Sequence, residues 1–198
     1  MWYWLFRSIF IGLLKVFFKF KVEGRGRIPA KVNFIVVANH ASFLDPVVVG
    51  AAIPYRIYWM AARFLYGVPW LKWFLFKTGT HPVGGSSAKR FIDLLDKNKN
   101  VGLFPEGTCS LDGNLGEFKR GAALLALKTG RPIVPCAILG TFKALPKRAK
   151  FPKFIPLKVK IGEPIYLLKE FDELIDDIYL QEGMLKIKNT IKEMIDEG

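Results

Sequence analysis

The chain is poor in cysteine, histidine and acid. Its two cysteines, Cys109 and Cys136, form no C-x-x-C pair. That excludes a disulfide-stapled scaffold and a cysteine zinc site, and reduced thiols in a cytosolic compartment are the expectation. No Gly/Ser linker, internal repeat or low-complexity tract breaks the 198 residues, so one α/β body with a real core is expected. Only 17 acidic residues stand against 30 Lys and Arg, a net charge of +13. This balance favours anionic partners such as a phospholipid surface, a phosphorylated substrate or an acidic carrier. Nucleic acid fits the charge, but no nucleic-acid-binding motif is present.

The amino terminus also lacks two things. No small-residue site for signal cleavage follows the apolar run. A spanning helix needs about 20 mostly apolar residues, yet Arg7, Lys15 and Lys19 interrupt Met1 to Phe20. Arg7, Ser8, Gly12, Lys15 and Lys19 recur at helical spacing, leaving a narrow polar stripe on a broad apolar cylinder. The pattern predicts a helix lying in the headgroup region, its basic stripe toward phosphates and its aromatics in the acyl boundary. Residues 1–27 are read as this docking segment, and residues 28–198 as the α/β domain.

What is present alternates. Short β-branched runs at Asn33 to Ala38, Arg56 to Ala61, Val101 to Phe104, Ile133 to Leu139 and Leu157 to Ile161 read as strands. Gly79 to Val83 reads as a further short strand. Helices are expected from Asp45, with Asp as cap and Pro46 in the first turn, and over Ser86 to Asn98 and Phe118 to Thr129. From about Lys169 an acidic-then-basic tail reads as an amphipathic helix. The class is α/β, with a mixed, mainly parallel sheet flanked by helices and an amphipathic membrane-binding segment in front. Pro135 implies an edge, a bulge or the beginning of its strand.

In such sheets ligands gather at the carboxyl ends of strands. Two polar clusters fall there: Asn39-His40 with Asp45, and Phe104-Pro105-Glu106-Gly107-Thr108. A neutral imidazole beside a carboxylate is a base that can take a hydroxyl proton near neutral pH. Against this, Asp45 could be only a helix cap and His40 a loop histidine. Glu106 could accept hydrogen bonds from substrate hydroxyls, or simply be solvated in a turn. Lys119 and Arg120 at a helix start make a candidate phosphate site. His81, with no carboxylate nearby in sequence, reads as structural.

These blocks, in this order, resemble the glycerolipid acyltransferases, in particular the bacterial 1-acyl-glycerol-3-phosphate acyltransferases. The first block is Asn39, His40, Ser42 and Asp45; the third is Phe104 through Thr108 with Ser110; Phe118-Lys119-Arg120-Gly121 follows, then Val134-Pro135. The resemblance covers roughly 28–162. Its second block departs: glycine stands at Gly84-Gly85 where the family has an arginine, and Lys89, Arg90, Lys119 or Arg120 would supply that charge. The resemblance implies acyl transfer from acyl-CoA or acyl carrier protein to the sn-2 hydroxyl of lysophosphatidic acid, giving phosphatidic acid. It implies no cofactor and no metal. It casts His40 as base and Asp45 as its orienter, with Asn39, Ser42, Glu106, Gly107, Thr108, Lys119 and Arg120 binding substrate. Such an enzyme would sit on the cytoplasmic face of the cell membrane, peripheral or monotopic, against anionic phospholipid. The rival readings are a thiol hydrolase using Cys109 with His40, and a non-catalytic lipid-binding module.

Overall fold

The computed structural model describes residues 1–167 and 176–197. Among them, seven strands form one sheet in the order β1-β7-β6-β2-β5-β3-β4. The strands are β1 (Lys21–Glu23), β2 (Ile35–Ala38), β3 (Ile57–Ala61), β4 (His81–Pro82), β5 (Asn100–Leu103), β6 (Ile133–Leu139) and β7 (Lys158–Ile161). Neighbours are parallel except β6 and β7, which pair antiparallel, Cys136 opposite Ile161. The mixed, mostly parallel sheet is the one expected.

The central strand shows why. All four residues of β2 are buried, and its pleat sends alternate side chains to opposite faces. Val36 and Ala38 pack with α1 (Trp2–Phe18) and α2 (Asp45–Ala52), through Leu14, Phe18, Val48 and Val49. Ile35 and Val37 pack with α4 (Ser87–Asp96), α5 (Gly121–Thr129) and α7 (Asp177–Asp196), through Leu95, Ala123, Leu125 and Ile187. Helices therefore cover both faces, as a parallel sheet requires.

Several details differ from the sequence reading. β1 was not expected; it is three residues long with charged ends, yet it pairs parallel to β7, Lys21 opposite Lys158. Helix α5 starts at Gly121 rather than Phe118, and ends as expected at left-handed Gly130. Helix α3 (Pro69–Thr78) follows a 3-10 turn over Arg63–Gly67, and α6 (Thr141–Ala144) follows β6. The start of the expected tail, near Lys169, lies outside the described residues; its later part is α7. Pro135 sits not on an edge but inside β6, between β7 and β2. Its carbonyl accepts from Gly162 N–H at 2.9 Å, and pairing resumes with Ile133 opposite Ile165, so one extra residue on the β7 side makes a bulge beside the missing N–H.

One residue of the polar stripe on α1 departs from expectation, while Ser8, Gly12, Lys15 and Lys19 are exposed. Arg7 does not reach outward; its guanidinium donates to the carbonyls of Gly50, Ala51 and Ile53 at 3.0–3.2 Å, capping the carboxyl end of α2. Burial lowers its pKa, which the arginine tolerates. Outward instead are Leu5, Ile9, Leu13 and Val16, while Phe6 meets Trp73 and Phe74 of α3 edge-on and Phe10 meets Phe74 likewise. Among the described residues, no helix is long and apolar enough to cross a membrane.

Candidate active site

His40 follows β2, and Glu106 follows β5, its parallel neighbour. Both therefore stand at the carboxyl edge of the sheet, where two separate sequence blocks meet. His40 Nδ1 lies 2.9 Å from Asp45 Oδ2. That same oxygen accepts the main-chain N–H groups of Ala41 at 2.7 Å and Ser42 at 2.8 Å. Asp45 is therefore not the cap of α2: Leu44 holds the cap position and no side chain caps there. The carboxylate turns back into the loop and fixes both its backbone and the imidazole.

Because a carboxylate only accepts, neutral His40 carries its proton on Nδ1 and leaves the Nε2 lone pair free. Asp45 is fully buried, while 16% of the His40 side chain is exposed. The ring stacks on Phe104 at 4.2 Å, and Phe104 stacks on Trp59 at 5.0 Å. Gly102 permits this stack, since a Cβ there would come within 2.7 Å of the Trp59 ring. Trp59 belongs to no motif, and nothing in the spacing marks it.

Glu106 is buried, and each of its carboxyl oxygens is held by backbone. Oε1 accepts the N–H of His40 at 2.6 Å and Oε2 that of Gly116 at 3.0 Å. Burial pushes its pKa up, against the opposing pull of those two hydrogen bonds. Asn39 is similarly held. Its amide donates to Ile138 O at 3.1 Å and accepts from Ile138 N–H at 2.7 Å, extending the β2–β6 ladder by one side chain. Ser42 is buried, and its hydroxyl donates to Leu145 O at 2.7 Å. These three buried groups hold the turn that presents His40.

The remaining predicted residues are exposed. Gly107 adopts φ +72°, and a Cβ there would lie 2.6 Å from Lys119 Nζ, so the ammonium rests over this turn. Thr108, next along, accepts from Lys147 Nζ at 3.4 Å. Lys147 is a cation the motifs did not mark; it arrives from the loop after α6. Arg120 points elsewhere, donating to Asp177 at the start of α7 at 2.6 Å. In the second block, Arg63 stands over Gly84 and donates to Val83 O at 2.9 Å, filling space left by the absent side chain. His81 is in β4, separated from β2 by β5 and β3.

Cys109 Sγ lies 3.7 Å from His40 Nδ1. Its thiol is pushed up to about 12, first by burial and then by the Asp45 charge. The nitrogen it faces is the one bonded to Asp45, so the imidazole cannot activate it. This geometry disfavours the thiol-hydrolase reading. Among the described residues, no group of three or more His, Cys, Asp or Glu side chains is placed to hold a metal ion.

Comparison with known proteins agrees with the motifs. The family model described as Acyltransferase matches residues 19–139. The 1-acyl-sn-glycerol-3-phosphate acyltransferase of Bacillus subtilis is 34% identical over 74% of this chain and 73% of its own length. The chloroplastic enzymes of that name from Brassica napus and Arabidopsis thaliana are 31% and 33% identical. Those alignments cover 76% and 66% of this chain but only 46% and 38% of the plant proteins. The chain thus spans less than half the length of these plant relatives. The crystal structure of the 1-acyl-sn-glycerophosphate (LPA) acyltransferase from Thermotoga maritima superposes with a TM-score of 0.77 at 26% identity, covering 96% of this chain and 80% of that one.

Proposed function

This chain belongs to the acyltransferase family, and from that premise we propose that it transfers a fatty acyl group to the sn-2 hydroxyl of 1-acyl-glycerol-3-phosphate, giving phosphatidic acid. The observation that carries the reading is the His40–Asp45 bond at the open edge of the sheet. The donor is a thioester of coenzyme A or acyl carrier protein.

His40 Nε2 takes the hydroxyl proton as the oxygen attacks the thioester carbonyl. The C–S bond then breaks, and the imidazolium returns its proton to the leaving thiolate. Asp45 holds the ring in the required tautomer and stabilises the cation that forms. Three donors converge on its Oδ2, while Oδ1 has no hydrogen-bond partner among the described residues. Its charge is therefore incompletely compensated until the imidazole gains a proton. The acceptor's own hydroxyl plays the part of a nucleophilic serine, so no acyl-enzyme forms. General-base help of this kind is worth roughly 10²–10⁴-fold, with positioning supplying more.

Lys119 and Lys147 at the Gly107–Thr108 turn meet the acceptor's phosphate. Glu106, Asn39 and Ser42 act through His40 by fixing its loop. The outward face of α1 and the exposed Trp70, Trp73 and Phe76 of α3 dock the protein on a bilayer, so acyl chains need not leave it. The proposed location is the cytoplasmic face of the cell membrane. Incubating purified protein with labelled acyl-CoA or acyl carrier protein and a panel of lysophospholipids tests the proposal. The expected product is phosphatidic acid from lysophosphatidic acid; hydrolysis alone, or no turnover with either donor, would refute it.

A further inference from the structure

The segment between α6 and β7 carries a surface that the site does not use. Phe151 is 81% exposed and Phe154 is 64% exposed. Lys143, Arg148, Lys150 and Lys153 flank them in the sequence, all exposed, and none is in an ion pair among the described residues. No Asp or Glu occurs anywhere in 118–162. The loop has a definite shape. Pro146, Pro152 and Pro156 stiffen it, and Lys153 N–H donates to Ala144 O at 2.7 Å.

Phe154 also packs on the end of α1, 5.1 Å from the Phe17 ring and 5.4 Å from that of Phe18. The apolar ridge formed by Leu5, Ile9, Leu13 and Val16 therefore runs on through Phe17 into the loop. Single exposed apolar side chains are ordinary on a protein surface. A continuous apolar ridge bordered by unpaired cations has the composition of a bilayer interface: aromatics at the acyl boundary, lysines at phosphates.

We infer that the 146–156 loop is a second bilayer contact, selective for anionic phospholipid. Phe151 and Phe154 enter the interface while Arg148, Lys150 and Lys153 bind headgroup phosphates. It extends the docking proposed for α1 and α3. The contact is made beside the site, because the root of the loop is bonded to the catalytic turn through Leu145 O and Lys147. An acidic carrier protein would satisfy the charges, but not the two exposed rings continuous with α1.

The test is partition of the full chain onto vesicles of phosphatidylglycerol with phosphatidylcholine, and onto pure phosphatidylcholine. The variants are Arg148→Glu/Lys150→Glu/Lys153→Glu, Phe151→Ser and, on α1, Ile9→Ser/Leu13→Ser. Thermal unfolding identifies the folded variants, and Phe151→Ser decides alone if the triple variant does not fold. Charge reversal should lower partition onto the anionic vesicles by roughly ten-fold or more, with little change on neutral ones. Phe151→Ser should weaken both by roughly ten-fold. Wild-type partition of the folded loop variants overturns the inference, whether or not the α1 variant loses binding; loss in the α1 variant leaves the helix docking intact. Unchanged vesicle binding, with turnover lost only for the acyl carrier protein donor, would assign the loop to an acidic protein and also overturn it.

Discussion

The main-chain N–H of His40 donates to Glu106 Oε1 at 2.6 Å, joining the loop after β2 to the loop after β5. A carboxylate is needed because both oxygens accept from N–H groups. Glu106→Gln would turn an NH2 toward one donor and leave a buried mismatch costing about 1–3 kcal/mol. The pH dependence follows from the raised pKa. Between the ordinary carboxylate value and the higher folded one, the native state binds more protons than the unfolded state. Wild-type stability in that window therefore falls as pH rises, whereas Glu106→Gln lacks this slope. Thermal unfolding of both proteins across the acid range checks the prediction.

Asp45 acts on its neighbour as much as on the loop. Asp45→Asn should lower kcat by roughly 10²–10⁴-fold with little change in KM for either substrate, because the ring loses its tautomer while the pocket keeps its shape. Steady-state kinetics separates this from a folding defect, which would lower the active fraction and leave kcat per active site unchanged.

Cys109 borders the imidazole but is a neutral thiol. Cys109→Ser should keep transfer within a few-fold of wild type, and no acyl group should be trapped on the protein. Mass spectrometry of the quenched reaction reads out the second point.

Lys147 and Lys119 address the acceptor's phosphate in the proposed reaction. Either change to Ala should raise KM for lysophosphatidic acid by roughly 10–100-fold, the worth of one charge-assisted hydrogen bond, with a smaller effect on kcat. An acceptor lacking phosphate should show no such penalty, and competition assays with both acceptors measure the difference.

Much of this was legible in the sequence, and the reasons differ by element. β2 declared itself because a buried central strand reads as a short continuous apolar run, here three β-branched residues and an alanine. The His40–Asp45 contact was legible because a loop and the first turn of a helix separate the two by only a short stretch. β1 was not, since three residues of Lys-Val-Glu gain strand character only from β7 beside them. Arg7 misled for a related reason. Helical periodicity places it on a stripe, but not that this one residue turns to the carboxyl end of α2 while Ser8, Gly12, Lys15 and Lys19 stay exposed. Lys147 and Trp59 reach the site through tertiary contact alone. Glu106 and Asn39 were flagged as polar residues at strand ends, yet only the fold reveals that main-chain groups hold both polar atoms of each side chain.

The most direct test of the account is transfer of a labelled acyl group to lysophosphatidic acid by purified His40→Ala protein, alongside its binding to vesicles. The account predicts turnover reduced by at least about 10²-fold with vesicle binding intact. Near-normal turnover in that variant would contradict it.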